Sequence, residues 1–161
     1  MTTTLTVRFH ELDPYGHVNH AVYLTYLEVA RIDHLAARGI DLLALDDRLG
    51  VRFVVVGIEV AYLAPAASGD RLRVTCELQR CRRASATFTQ TITRQARAAG
   101  AAGGGSADDA TSGHPVPLLT ATVRTATIGT DGRPVPLPPE LTAALTAPVV
   151  AVPGTPASAA P

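Results

Sequence analysis

The stretch HELDPYGHVNHAVYLTYLEVAR, from His10 to Arg31, gathers His10, Glu11, Asp13, His17, Asn19 and His20 just ahead of an apolar run. Three kinds of chemistry could use such a set. His17 and His20 are three apart, with His10, Glu11 and Asp13 nearby, and such spacing can chelate a metal on a helix turn. No HExxH or comparable framework completes it, so a metal is not expected. Serine hydrolase chemistry lacks its motif, because the chain has no GxSxG. The remaining chemistry is attack on a carbonyl. A helix that starts near His20 offers free backbone N–H groups and the positive end of its dipole, which can polarise a carbonyl oxygen. A carboxylate held a few residues upstream could then attack the carbonyl carbon or activate water against it.

Plainer roles exist for the same residues. Asp13, Pro14 and Gly16 stand at the first, second and fourth positions of a type I β-turn. Asn19 is a natural N-cap for the following helix. For Asp13 the plain and the chemical role are compatible, since a rigid turn is how a loop carboxylate is held in place.

The elements that must position these residues follow from periodicity. TLTVRF, Thr4 to Phe9, alternates and reads as a short strand. A helix is expected from about His20 to Arg38, stopped by Gly39. Its wheel leaves no wide polar face, which predicts a helix surrounded by protein, with Glu28 and Arg31 paired on one side. Asp41 to Gly50 reads as a short helix or turn. The period then changes to two, giving strands over 51–63, 71–81, 85–93 and 117–128. One buried helix with about five strands, mostly joined by short turns, predicts an α+β fold: an antiparallel sheet wrapped on a helix. The Ala/Gly-rich segment 96–115 reads as a flexible insertion and 147–161 as a disordered tail, leaving a single domain over 1–146.

Composition narrows the classes. The 14 basic and 14 acidic residues cancel, so no global field points to nucleic acid or an anionic membrane. No stretch approaches the roughly 20 apolar residues of a membrane helix, and the start lacks the pattern of a signal peptide. Cys76 and Cys81 are five apart in one strand, hence on opposite faces, with neither a disulfide nor a zinc motif expected. These features predict a reduced, cytoplasmic protein.

The segment ELDPYGHVNHAVYLTYLEVAR resembles the active-site stretch of hotdog-fold acyl-CoA thioesterases, the 4-hydroxybenzoyl-CoA thioesterase-like group. The shared pattern is D-x-x-G-x-V, a residue that starts the helix, then Y-x-x-Y/F-x-E-x-A-R. A second match is YLAPAASGD, with Tyr62, Pro65, Gly69 and Asp70, and RPVPLPPELTAAL resembles the family's ending. The resemblance implies a hotdog fold and hydrolysis of an acyl-CoA or acyl-carrier-protein thioester. Asp13 would be nucleophile or general base, the backbone N–H of His20 would polarise the carbonyl, and Asn19 would orient water or the thioester. Substrate contacts would fall to His17, Tyr23, Tyr62 and Ser85, with Arg80, Arg82 and Arg83 taking the coenzyme A nucleotide. No cofactor is implied beyond the coenzyme A of the substrate. The family pairs subunits, so a homodimer or homotetramer is expected. YLAPAASGD lacks the basic residues frequent in that turn, and the long insertion is foreign to the pattern. The same fold also serves dehydratases and hydratases, whose D-x-N-P-x-H and G-H-F-P motifs are absent here. A non-catalytic acyl-CoA binder would not need the carboxylate.

Overall fold

The structure, a computed structural model, describes residues 1–96 and 114–147. The expected insertion and tail lie outside the described residues except at their edges. Strands β1 (Thr2–Thr6), β2 (Val51–Tyr62), β3 (Arg71–Arg82), β4 (Ser85–Arg94) and β5 (Val116–Gly129) form one antiparallel sheet in the order β1-β3-β4-β5-β2. Helix α1 (His20–Ala36) packs on the sheet against β1 and β3, while α2 (Leu45–Leu49) and α3 (Pro139–Thr146) close the far end.

Alternation in the strands sets the inner face. Leu72, Val74 and Cys76 of β3, Ala86, Phe88 and Ile92 of β4, and Leu119, Ala121 and Val123 of β5 are buried at every second position. They meet two apolar clusters, one around Tyr23, Tyr26 and Leu27 of α1 and one joining Leu35 to Leu141 and Leu145 of α3. Phe88 is wholly buried, a contribution of about 1.5–3 kcal/mol for a side chain of this kind.

Four local features differ from the expectation. The first strand spans Thr2–Thr6 rather than 4–9, because the Glu11 carboxylate accepts the Arg8 N–H at 2.6 Å and turns Phe9–Glu11 into a 3-10 coil. Phe9 is left 83% exposed. A bulge between Leu78 and Arg80 shifts the alternation of β3, so Cys76 and Cys81 pack toward the same cluster rather than on opposite faces; both are free thiols. Arg31 does not pair with Glu28. It turns inward to donate to Gln90 Oε1 at 3.2 Å, and Gln90 donates in turn to the Leu27 carbonyl at 2.7 Å, so Arg31 and Gln90 satisfy one another and the helix backbone in the interior. Finally, α1 is central and mostly buried, yet Leu24, Glu28 and Ile32, spaced by four, form a stripe that a single chain leaves in solvent.

Candidate active site

Asp13 sits in the turn that its sequence predicts. The Gly16 N–H donates to the Asp13 carbonyl at 3.0 Å, and Gly16 takes a φ of 80°, a conformation glycine adopts without cost. The carboxylate itself is fixed by the loop: Oδ1 accepts the Tyr15 N–H at 2.9 Å and the His17 N–H at 3.1 Å. The Asp13 N–H donates to the His17 carbonyl at 2.7 Å. Among the described residues nothing hydrogen-bonds Oδ2, and the residue is partly exposed. One carboxylate oxygen is therefore held while the other is available.

Asn19 caps α1, its Oδ1 accepting the Ala21 N–H at 2.9 Å, and the Val22 N–H donates to its carbonyl at 2.9 Å. His20 is the first residue of the helix and is exposed. Its N–H takes no partner among the described residues, which leaves it as a donor at the positive end of the dipole. The His20 carbonyl accepts the Tyr62 hydroxyl at 3.0 Å, so the last residue of β2 anchors the start of the helix.

The second sequence match supports this loop from below. The Val18 N–H donates to the Ala66 carbonyl at 2.8 Å, and His17 forms a β-bridge with Ala67. The Tyr23 hydroxyl accepts the Ala66 N–H at 3.0 Å, and Asp70 accepts the Ala67 N–H at 2.9 Å. Tyr23 is buried against Tyr26 and Tyr62, edge to face with both, so within one chain it presents no free surface to a substrate. His17 is exposed beside Asp13.

Asp13, His17, Asn19, His20, Tyr23 and Tyr62 thus come together, whereas Arg80, Arg82, Arg83 and Ser85 do not. Those four lie at the β3–β4 hairpin, and β3 leaves the Asp13 end at Arg71. At about 3.3 Å per residue a strand of this length separates its two ends by more than about 30 Å. The sequence did not show that Glu11, singled out only beside the histidines, would meet Tyr26 under this loop. The Tyr26 hydroxyl donates to Glu11 Oε2 at 2.7 Å. Burial first, and then this hydrogen bond, push the tyrosine's pKa up. The available signal was a tyrosine on an otherwise apolar helix face, whose hydroxyl needs a partner once buried. Among the described residues no three His, Cys, Asp or Glu side chains gather to hold a metal.

Comparison with known proteins agrees with this geometry. Residues 7–145 match the thioesterase-like superfamily. The chain is 40% identical over 93 residues to the long-chain acyl-CoA thioesterase FadM of Escherichia coli, a span of 58% of this chain and 69% of that protein. A thioesterase from Thermus thermophilus, solved in complex with coenzyme A and zinc, superposes with a TM-score of 0.68 at 28% identity, covering 89% of this chain and 90% of that one. A 4-hydroxybenzoyl-CoA thioesterase bound to 4-hydroxybenzoyl-CoA superposes with a TM-score of 0.76 at 16% identity, covering 91% and 98%, and so shares the hotdog fold. With a match that spans the loop, the helix and all but the first of the strands, the chain belongs to the thioesterase-like superfamily.

Proposed function

We propose that the protein hydrolyses acyl-CoA thioesters to the free acid and coenzyme A, with Asp13 as the reacting carboxylate. One observation carries this: among the described residues Asp13 has one oxygen tied down and the other free, in the loop that leads directly into a helix whose first N–H is unpartnered. A thioester carbonyl oxygen resting on the His20 N–H would be polarised as negative charge develops on it. Oδ2 of Asp13 would attack the carbonyl carbon to give a mixed anhydride that water then hydrolyses, restoring the carboxylate, or would take a proton from a water that attacks the carbonyl directly; either way the C–S bond breaks, the acyl group leaves as the free acid, and the thiolate takes up the proton that the water gives up. The relatives' substrates support acyl-CoA as the class. The test is thiol release from a panel of short, long and aromatic acyl-CoAs, followed with a thiol-reactive dye. Binding of these compounds with no thiol released would leave a non-catalytic acyl-CoA binder in place of the enzyme.

The working unit in this reading is a homodimer. Among the described residues strand β2 is an edge of the sheet, paired only with β5, and Val55, Val56 and Ile58 along it are exposed. An open apolar edge invites pairing with another chain. A two-fold axis beside it would join β2 to its copy antiparallel, with the exposed Leu24–Ile32 stripe free to meet a second helix. The same axis would bring the arginine hairpin of one protomer to the end of the sheet where its partner holds Asp13. That relation would let Arg80, Arg82 and Arg83 take the nucleotide of a substrate whose thioester lies on the other chain. Light scattering at micromolar concentration is expected to give at least twice the 16.8 kDa of one chain; an active monomer would remove the shared site. The free thiols of Cys76 and Cys81 suit a reducing compartment and support a cytoplasmic location.

A further inference from the structure

We infer that Glu11 and Tyr26 form a positioning clamp that sets the Asp13 carboxylate against the end of α1, a role that rests on the proposed function above. The loop from Arg8 to Asn19 must hold Asp13 at a fixed distance from the His20 N–H, and its two halves are anchored differently. The second half is stitched to the 66–67 turn by the Val18 N–H and the His17–Ala67 bridge. The first half joins the second through the Leu12–Val18 bridge and the Asp13–His17 bonds, and reaches α1 through Glu11. Its carboxylate accepts the Arg8 N–H at 2.6 Å and the Tyr26 O–H at 2.7 Å, and its carbonyl accepts the Asn19 N–H at 2.9 Å. One residue thus ties the exit from β1, the helix cap and the second turn of α1.

Asp13 stands two positions beyond this junction, and among the described residues its carboxylate takes hydrogen bonds only from its own loop, from Tyr15 and His17. The relation of its free oxygen to the helix end is carried by His17 and Val18 on one side and by the Glu11–Asn19 and Glu11–Tyr26 bonds on the other. Tyr26 is 5% exposed, a position a phenylalanine would fill equally well. The hydroxyl adds nothing to packing and supplies the bond that ties Glu11 to the second turn of α1. Misplacement of a reacting group by about 1 Å can lower a rate by about 10²-fold, so a partly loosened clamp should act on turnover before it acts on binding.

The experiment compares Tyr26→Phe, Glu11→Ala and Glu11→Gln with the wild type, following acyl-CoA turnover and backbone amide exchange. Tyr26→Phe and Glu11→Ala are expected to lower kcat about tenfold with KM within about twofold. Glu11→Gln keeps a carbonyl acceptor for both donors and should retain about half the rate or more. In the first two variants the Tyr15 and His17 amides should also lose protection about tenfold, while those of β3 and β4 stay as they were. Tyr26→Phe with unchanged kcat and unchanged Tyr15 and His17 protection would overturn the clamp. So would a parallel loss of protection throughout the sheet, which is general destabilisation. If the amides respond as expected but even the wild type releases no thiol, the clamp stands and the thioesterase reading falls.

Discussion

Asp13→Asn is expected to lower kcat by about 10²-fold or more while the protein stays folded and binds its thioester. The substitution separates the two jobs of this residue. Asn keeps the size of Asp and serves equally at the first position of a β-turn. Its Oδ1 can go on accepting the Tyr15 and His17 N–H groups, which are the bonds that hold the turn. What disappears is the negative charge and the lone pairs of Oδ2, the atom without a partner in the loop. A residue that only shaped the turn would show little change in melting temperature, affinity or rate. A reacting carboxylate would show the loss in turnover alone. Retention of more than about half the wild-type kcat would sink the mechanism and shift attention to His17 and His20.

The second large effect is on stability in acid, and its source is His34. This side chain is 1% exposed, lies edge to face with Phe88 at 5.8 Å, and neither ring nitrogen makes a hydrogen bond. Burial, then the positive charges of Arg38 and of the chain's amino terminus, lower its pKa to about 4, with the Cys76 backbone opposing weakly. In the unfolded chain a histidine titrates near about 6.5. Above that pH neither state takes the proton and stability is complete. As the pH falls from about 6.5 toward 4, the unfolded chain binds a proton that the folded one refuses, so folding weakens by up to about 1.4 kcal/mol per pH unit. Below about pH 4 the folded state accepts the proton too and the loss levels off near about 3 kcal/mol. His34→Leu removes both the proton and the unpartnered nitrogens. The melting temperature of the variant should therefore gain on the wild type by roughly 5–10 °C between pH 7 and 4.5. Two melting curves that move in parallel over that range would exclude His34 as the cause.

Much of the site was legible because its logic is local. A β-turn, an N-cap and a helix start are each written within four or five residues, and Asp13, Gly16, Asn19 and His20 stand where that code puts them. Strands β3, β4 and β5 were legible for the same reason, since burial at every second position appears directly as alternation in the sequence. Tyr26 and Glu11 were not, because their bond joins residues 15 apart and a wheel shows only that a tyrosine sits among apolar neighbours. The Glu28–Arg31 pairing failed in the same way: helical spacing allows it, but a glutamine on β4 offers Arg31 a partner in the interior, where an unmet charge costs far more than at the surface.

The amino-acid sequence by itself determined the chemistry available, the alternating inner faces of the strands and the loop that presents a carboxylate ahead of a helix. These depend on near neighbours along the chain and on the fixed periods of helix and strand. Only the tertiary structure decided where the sheet ends, that β2 is its edge strand among the described residues, that a bulge turns Cys81 inward, and that the arginine hairpin lies at the opposite end of the sheet from Asp13. Each of these depends on which segments pair across the fold and in what register. One inserted residue or one change of strand order leaves every local pattern intact and moves the side chains that must meet.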